Sequence, residues 1–213
     1  MSAAKTPPQT HDQLNARMTD YAESIGVRMN GIVMSCCPGN YAPIMIVGYR
    51  HLPGEASPFD ATHRAIVITL LQQLAIKPHM VFITDLVKAP IVGDTIDPKV
   101  LARWGNFLFE QIQIVEPKAV ILLGAETARL VIRVERPAVQ DYRHTRFVWP
   151  QRTPTNFFVT YGPDDVAKET SVGFGKGMLG MKQAAIHEDI KAVAEADITH
   201  FDRIFPVAGF SQE

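Results

Sequence analysis

One stretch of the chain, residues 80–124, constrains the fold most because it has the pattern of a strand, a helix and a second strand. Residues 80–84 form a short apolar run rich in β-formers, which is typical of a strand buried on both faces. Asp97 and Pro98 suit the N-cap and the first position of a helix, and apolar residues follow at helical spacing. Residues 119–124 are again apolar and predict a second buried strand.

Two buried strands joined by a helix predict a right-handed βαβ unit, so the carboxyl ends of both strands open on one edge of the sheet. Asp85 and Gly124 come at the ends of the two strands and are expected at that edge. Open α/β sheets bind their ligands beyond these strand ends. The carboxylate of Asp85 is therefore a candidate for chemistry.

The rest of the chain continues the alternation of strands and helices. Further strands are predicted at residues 44–48 and 157–160, and further helices at residues 11–25, 61–74, 125–134 and 179–196. This alternation predicts a three-layer α/β/α domain around a central, mostly parallel, four-stranded sheet. We expect residues 1–10 to form a disordered tail and residues 11–213 to form a single domain.

The composition is that of an ordinary globular protein, with 46% hydrophobic and 20% charged residues in a chain of 213. No apolar run approaches the roughly 20 residues of a membrane span, and residues 1–15 lack the apolar centre of a signal peptide. Cys36 and Cys37 are adjacent, which suits two ordinary thiols in a reducing cytoplasm. We expect a cytoplasmic protein, with a monomer favoured. Because the net charge is −1, any surface for nucleic acid must be a local patch.

The loop after the strand at residues 44–48 is rich in acid–base side chains. His51 and Glu55 are its candidate catalytic groups, with Asp60 behind them, because such side chains can help to activate water. A solvated loop charge is the alternative for each of them. The chain has no phosphate-loop motif and no Gly-x-Ser-x-Gly motif, so an unrelated nucleotide binder or α/β hydrolase is the least favoured interpretation.

Four motifs follow one another in a fixed order along the chain. They are Ile46-Val47-Gly48 with a loop that ends in Pro58-Phe59, the segments 81–88 and 116–124, and finally Thr160-Tyr161-Gly162-Pro163. In this order and spacing they resemble the uracil-DNA glycosylase superfamily, closest to its iron–sulfur branch, over roughly residues 40–200. The resemblance implies an enzyme that flips a base out of DNA and hydrolyses its N-glycosidic bond.

The resemblance also shows where this chain departs from the iron–sulfur branch. Ala89 and Trp104 stand where two of the cluster cysteines are expected, and Cys36 and Cys37 are the only cysteines of the chain. Ligation by four thiolates is therefore impossible. We predict no iron–sulfur cluster, no other metal and no cofactor.

Asp85 occupies the position at which the family has a base-reading Asn. An Asn side chain can accept from uracil N3–H and donate to O4, whereas an ionised Asp can only accept. A carboxylate instead suits an exocyclic amine such as cytosine N4, so the exchange favours a modified, cytosine-like base over uracil. Two alternatives stay open for Asp85: a group that orients water or offsets charge on the sugar, and a structural N-cap or partner of Lys88.

Other site residues follow from the same resemblance. Phe59 matches the stacking Phe of the family, and Gly162 replaces a His that supports an anionic base oxygen. Loss of that imidazole either weakens leaving-group stabilisation or makes space for a larger base, and His144 is a candidate to compensate. The predicted base-binding residues are Gly48, Tyr49, Arg50, Phe59, Asp85, His144, Tyr161 and Gly162. The candidate phosphate contacts, in loops predicted for the same edge, are Lys88, Arg143, Arg146, Arg152, Lys168 and Lys176.

We therefore expect a monofunctional DNA glycosylase that removes a modified, cytosine-like base and leaves an abasic site, in repair or in defence against phage DNA. One alternative is a repair enzyme for uracil or another deaminated base. Another is a catalytically silent DNA-binding module, which the loss of two family residues favours. The expected partner is DNA, duplex or single-stranded, and no membrane is involved.

Overall fold

The structure is a computed structural model that describes residues 10–27, 42–50, 61–91, 93, 95–133, 138–149, 153–170, 180–196 and 207–209. Most of the predicted tail, residues 1–9, lies outside this part of the chain. Thr10 is the N-cap of the first helix rather than a tail residue, because its hydroxyl accepts a hydrogen bond from Gln13 N at 3.3 Å.

The described residues form six α-helices; five of them are close to the predicted ones, and the helix Pro163–Thr170 was not predicted. They are α1 (His11–Ser24), α2 (Ala61–Gln73), α3 (Pro98–Val115), α4 (Ala125–Ile132), α5 (Pro163–Thr170) and α6 (Met181–Glu195). Helix α3 begins as predicted, since the Asp97 carboxylate accepts from Lys99 N at 2.6 Å and Pro98 occupies the first turn. None of the described helices combines the length and the apolar character that crossing a bilayer requires.

The described strands form one sheet in the order β2-β1-β3-β5-β4-β6. Their bounds are β1 (Ile44–Arg50), β2 (Val81–Val87), β3 (Ala119–Leu123), β4 (Arg146–Trp149), β5 (Thr153–Thr160) and β6 (Val207–Gly209). The neighbouring pairs among β2, β1, β3 and β5 are parallel, so the predicted α/β fold with a mostly parallel sheet is confirmed. The prediction of four strands missed β4 and β6, which extend one edge, β4 running antiparallel to β5.

Helices cover both faces of the sheet and form its two hydrophobic cores. On one face α1, α3 and α4 pack on alternate strand residues such as Val47, Leu122 and Val159. On the other face α2, α5 and α6 pack on the intervening residues, such as Ile46 and Leu123. Burial on both faces explains why the central strands have nearly continuous apolar sequences rather than alternating ones.

The central strand β1 determines where a ligand site can form. From β1 the chain first passes to β2 on one side and later to β3 on the other, so the connections diverge at the carboxyl end of β1. Such a divergence leaves a crevice between the loops that follow the two strands, and ligands of open α/β sheets bind there.

Candidate active site

A cavity of about 470 Å³ lies beyond the carboxyl ends of β1, β3 and β5. Its described lining comes from residues 48–50, residues 123–127, and residues 162–165 together with Lys168. These segments follow three neighbouring parallel strands at the point where the chain connections diverge. The cavity therefore lies where the fold predicts a ligand site, and it is the candidate active site.

Two glycines bring the loops after β3 and β5 into direct backbone contact. Gly124 N donates to the carbonyl of Thr160 at 2.9 Å, and Gly124 has a φ of 86°, a conformation that favours glycine. A Cβ atom added to Gly162 would lie 3.3 Å from Gly124 Cα and 3.4 Å from Gly124 N. Gly162 therefore leaves room for the backbone of Gly124. Because the two backbones are in contact, Gly162 does not provide extra space for a larger base. The contact therefore favours the other interpretation of the missing imidazole, which is weaker stabilisation of the leaving group.

Carboxylates outnumber basic groups on the described wall of the cavity. The carboxylates are Glu126, Asp164 and Asp165, and the basic groups are Arg50 and Lys168. Asp165 Oδ2 accepts from Gly162 N at 2.9 Å, so one carboxylate lies directly at the position where the resemblance predicts a histidine in the family. Glu126, in the first turn of α4, is paired with Arg129 on the same helix. With Glu126 paired, the described lining holds two further carboxylates, Asp164 and Asp165, and two basic groups, Arg50 and Lys168.

Tyr49 and Arg50, at the end of β1, form another part of the lining. Tyr49 is half-buried, and burial raises the pKa of its phenol, with the nearby Glu126 acting in the same direction. The phenol thus stays neutral and can donate a hydrogen bond at neutral pH. Arg50 Nη1 donates to the carbonyl of Gly93 at 2.5 Å, and its guanidinium carbon lies 5.9 Å from the centre of the Tyr49 ring. Arg50 therefore connects the cavity to the loop after β2.

Asp85 lies at the predicted edge but inside strand β2, which extends further than predicted. Its Cα is paired with that of Gly48, and only 2% of Asp85 is exposed. Asp85 is not among the described lining residues of the cavity, although Gly48 is.

Lys88 is buried rather than exposed on a DNA-binding rim. Its ammonium donates to the backbone carbonyl of Asp85 at 2.7 Å, and 6% of the residue is exposed. Burial lowers the pKa of the Lys88 amine to about 7, although the nearby Asp85 raises it. Lys88 follows β2 in a loop at the predicted edge, but its burial and its bond to the Asp85 carbonyl do not suit the predicted phosphate contact.

Arg143 belongs to a partly buried network centred on Asp189 of α6, and His144 lies at its exposed margin. Arg143 Nε donates to Asp189 Oδ2 at 2.7 Å, and the hydroxyl of Thr160 donates to the same oxygen at 2.5 Å. His144 is exposed, with Nδ1 3.7 Å from Asp189 Oδ1. The Arg143 guanidinium lies over the ring of Tyr161 at 5.6 Å. Arg143 is thus engaged in holding α6 to the end of β5, and its predicted position as a loop contact for phosphate is corrected.

The sequence gives no direct signal for Asp189. It lies in an amphipathic helix, where a carboxylate usually faces solvent, but only 8% of it is exposed. A basic residue in the preceding segment, Arg143, is the one feature that could have suggested a partner for it.

Arg146 is the first residue of β4, and its side chain bonds away from the edge predicted for it. Its Nη1 donates to Asn156 Oδ1 at 3.1 Å, and Asn156 is paired with Ala119, the first residue of β3. Arg146 therefore points towards the opposite end of the parallel strands, and its predicted placement in a loop at the cavity edge is wrong. Lys168 does line the cavity. The predicted residues His51, Glu55, Phe59, Arg152 and Lys176 lie outside the described part of the chain.

Ala89 and Trp104, which the resemblance places at two cluster positions of the iron–sulfur branch, are core residues. Ala89 and Trp104 are fully buried in the core beneath α1 and α3. The Trp104 ring packs on Phe107 and Tyr21, with ring centres 5.6 and 5.8 Å apart. Aromatic packing thus fills this region of the fold.

Comparison with known proteins supports the assignment that the fold and cavity suggest. No curated protein matches the chain. A family model described as the uracil DNA glycosylase superfamily matches residues 37–177, which include β1, β2, β3, β5 and every described residue of the cavity lining. Because this match covers well over half of the 213 residues, the chain belongs to the uracil DNA glycosylase superfamily.

Proposed function

We propose that this chain is a DNA glycosylase that hydrolyses the N-glycosidic bond of a flipped-out, cytosine-like base and leaves an abasic site. Membership of the uracil DNA glycosylase superfamily supports DNA glycosylase activity. The proposed choice of base rests on one observation: Asp85, a carboxylate residue inside β2, is paired with Gly48, which lines the cavity.

The chemistry of a carboxylate favours a base with an exocyclic amine. An ionised Asp85 can accept from the N4 amine of cytosine, whereas the O4 of uracil would face it as a second acceptor. The burial of Asp85 strengthens both its attraction to an N4 amine and its repulsion of an O4 oxygen, because water screens a buried charge less than an exposed one. A substituent on cytosine C5 leaves the N4 amine in place, so modified cytosines satisfy the same requirement.

The remaining steps are assigned to residues around the cavity. The half-buried Tyr49 presents an aromatic ring in the lining, and Phe59 is proposed to stack on the base as its counterpart does in the family. Water attacks C1′ of the sugar, and His51 or Glu55 is proposed to take its proton. The electron pair of the bond between C1′ and the base leaves with the base.

Contacts to the DNA backbone are proposed for the basic residues around this edge. Lys168 is exposed and lines the cavity, so it is the best placed of the described candidates for a phosphate contact. Arg152 and Lys176 keep the same proposed role. Lys88, Arg143 and Arg146 are assigned to the structure of the domain instead, because their described contacts are with protein groups.

A substrate panel tests the proposed function. Purified protein is incubated with duplex and single-stranded oligonucleotides that carry uracil, cytosine, 5-hydroxymethylcytosine or its glucosylated form, and abasic sites are then cleaved with alkali. We expect strand breaks with modified cytosine. Breaks with uracil alone would support repair of deaminated bases, and binding without breaks on any base would support a silent DNA-binding module. The base that is released decides between repair and defence against modified DNA.

A pair of matched variants tests the role of Asp85. Asp85→Ala should abolish base release while DNA binding, measured by fluorescence anisotropy, stays close to that of the wild type. Asp20→Ala is the control, because Asp20 is an exposed aspartate on α1, away from the described cavity lining. If Asp85→Ala released the base at the wild-type rate, Asp85 would have no role in the site.

A further inference from the structure

Lys88 is a buried amine that none of the steps proposed above uses. Only 6% of the residue is exposed, although lysine is almost never this buried without a partner. Taking a charged amine out of water is costly, and a methionine of similar length would fill the same space without that cost. Packing alone therefore does not account for a lysine at this position.

The contacts of Lys88 lead to Asp85, three positions earlier in the chain. The Lys88 ammonium donates to the backbone carbonyl of Asp85 at 2.7 Å, and both residues are buried. Burial lowers the pKa of the Lys88 amine, whereas the negative charge of Asp85 raises it. Because the attraction between two charges is mutual, the ammonium favours the ionised form of the Asp85 carboxylate in the same way.

Arg50, the basic residue at the end of the neighbouring strand, is engaged with a different group. Its Cα is paired with that of Val87, and its Nη1 donates to the carbonyl of Gly93 at 2.5 Å. Lys88 rather than Arg50 therefore makes the contact with Asp85.

The charge of Asp85 decides which base edge its side chain can read. An ionised carboxylate only accepts hydrogen bonds, whereas a protonated one carries an O–H donor beside an acceptor. A protonated Asp85 would offer the same two functions as the Asn that the resemblance predicts at this position, and it could donate to the O4 of uracil. Burial of a carboxyl group in apolar surroundings raises its pKa and favours the protonated form. A preference for an exocyclic amine therefore requires a cation close to Asp85.

We propose that Lys88 is a specificity-determining residue that keeps Asp85 ionised, so that Asp85 reads an exocyclic amine and rejects the O4 of uracil. This inference rests on the proposed function and adds the group on which its choice of base depends. Lys88 acts through Asp85 and makes no contact with the base, so it is a positioning residue rather than a catalytic one.

The charge of Asp85 can be measured without any substrate. Aspartate carboxyl carbons are labelled with carbon-13, and the NMR signal of Asp85 is the one that disappears in Asp85→Asn. The spectra are recorded in buffer slightly more acidic than the Lys88 pKa of about 7, where the ammonium is present. We expect an ionised Asp85 in the wild type and a protonated one in Lys88→Met.

Two further variants separate the charge of Lys88 from its other contributions. Lys88→Arg keeps a positive charge and should keep Asp85 ionised. Lys118→Met removes an exposed lysine that directly precedes β3, at the opposite end of the parallel strands, and should leave the Asp85 signal unchanged. A protonated Asp85 in the wild type, or an ionised Asp85 in Lys88→Met, would overturn the inference whether or not the protein releases a base.

Base selection provides the second test. Single-turnover release of 5-hydroxymethylcytosine and of uracil is measured for the wild type and Lys88→Met. We expect Lys88→Met to shift the ratio towards uracil by at least ~10-fold, about the discrimination that one base-edge contact provides. In the Asp85→Asn background, where no carboxylate remains to be controlled, Lys88→Met should leave the ratio unchanged. An equal shift in both backgrounds would overturn the inference, because Lys88 would then not act through Asp85.

The outcomes distinguish the inference from the proposed function. Base release with an unchanged ratio in Lys88→Met would overturn the inference and leave the glycosylase standing. No release of any base by the wild type would overturn the proposed function, and the role of Lys88 in base selection with it. If Lys88→Met does not fold, the wild type and Lys88→Arg decide. Both must show an ionised Asp85 and prefer 5-hydroxymethylcytosine, and any other result would overturn the inference.

Discussion

The contact between Gly162 and Gly124 predicts that even one methyl group at Gly162 destabilises the protein. The φ of Gly162 is outside the left-handed region, so Gly162→Ala introduces a steric change without a backbone penalty. The new Cβ would lie 3.3 Å from Gly124 Cα and 3.6 Å from Leu123 C, and all its nearest neighbours are backbone atoms. They cannot move aside as the end of a flexible side chain would.

The expected size of this effect follows from overpacking. Extra methyl groups in well-packed sites destabilise by about 1–3 kcal/mol. Because Gly124 is held by the hydrogen bond from its N to Thr160 O, we expect about 2 kcal/mol for Gly162→Ala. In a chain of this length that corresponds to a fall in Tm of about 4–8 °C. Thermal and urea unfolding followed by circular dichroism would measure it.

Gly105 provides the matched control. It lies in α3, and a Cβ atom added there would meet nothing within 4 Å. Gly105→Ala should therefore stabilise the protein by up to about 1 kcal/mol through helix propensity. If Gly162→Ala were as stable as the wild type while Gly105→Ala behaved as expected, the close contact of the two loops would be refuted. The same result would refute the explanation that this contact gives for the missing imidazole at Gly162.

Three further perturbations test other parts of the structure. Lys88 has a pKa of about 7 against an ordinary value of 10.5, so between these pH values the unfolded chain binds a proton that the folded chain does not. Wild-type stability should then rise with pH by up to ~1.4 kcal/mol per unit in this window, and the rise should disappear in Lys88→Met. Asp189→Asn should lower the free energy of unfolding by roughly 2–3 kcal/mol. Breaking a fully buried ion pair costs about 3–5 kcal/mol, and the cost here is smaller because Arg143 keeps some access to water. An unchanged urea unfolding curve would contradict this prediction. Asp97→Ala removes the N-cap of α3 and should lower the free energy of unfolding by about 1 kcal/mol. Equal Tm values for the wild type and the variant would show that the cap does not stabilise the protein.

The central part of the fold could be predicted because its signals are local. The apolar runs of β1, β2, β3 and β5 are nearly continuous, and the start of α3 combines an N-cap residue with a proline. Strands β4 and β6 were missed because they are short. Four residues in β4 and three in β6 carry too little pattern to be recognised as strands.

The site was predictable only where it depends on strand ends. Gly48 and Gly124 line the cavity at the expected edge because the topology of a parallel sheet places them there, whereas Asp85 is buried inside β2, paired with Gly48. Long-range partners were not predictable in the same way. The pairing of Arg143 with Asp189 joins residues 46 positions apart, and the burial of Lys88 depends on elements that cover it after folding.

The identity of the group that reads the base is the central claim, and one substitution tests it most directly. Asp85→Asn changes a side chain that only accepts hydrogen bonds into one that also donates, with almost no change in size. Single-turnover release of uracil and of 5-hydroxymethylcytosine is measured for both proteins. We predict that the wild type prefers 5-hydroxymethylcytosine and that the variant shifts the ratio towards uracil by at least ~10-fold, about the discrimination that one base-edge contact provides. An unchanged ratio in the variant would contradict the claim that Asp85 reads the base.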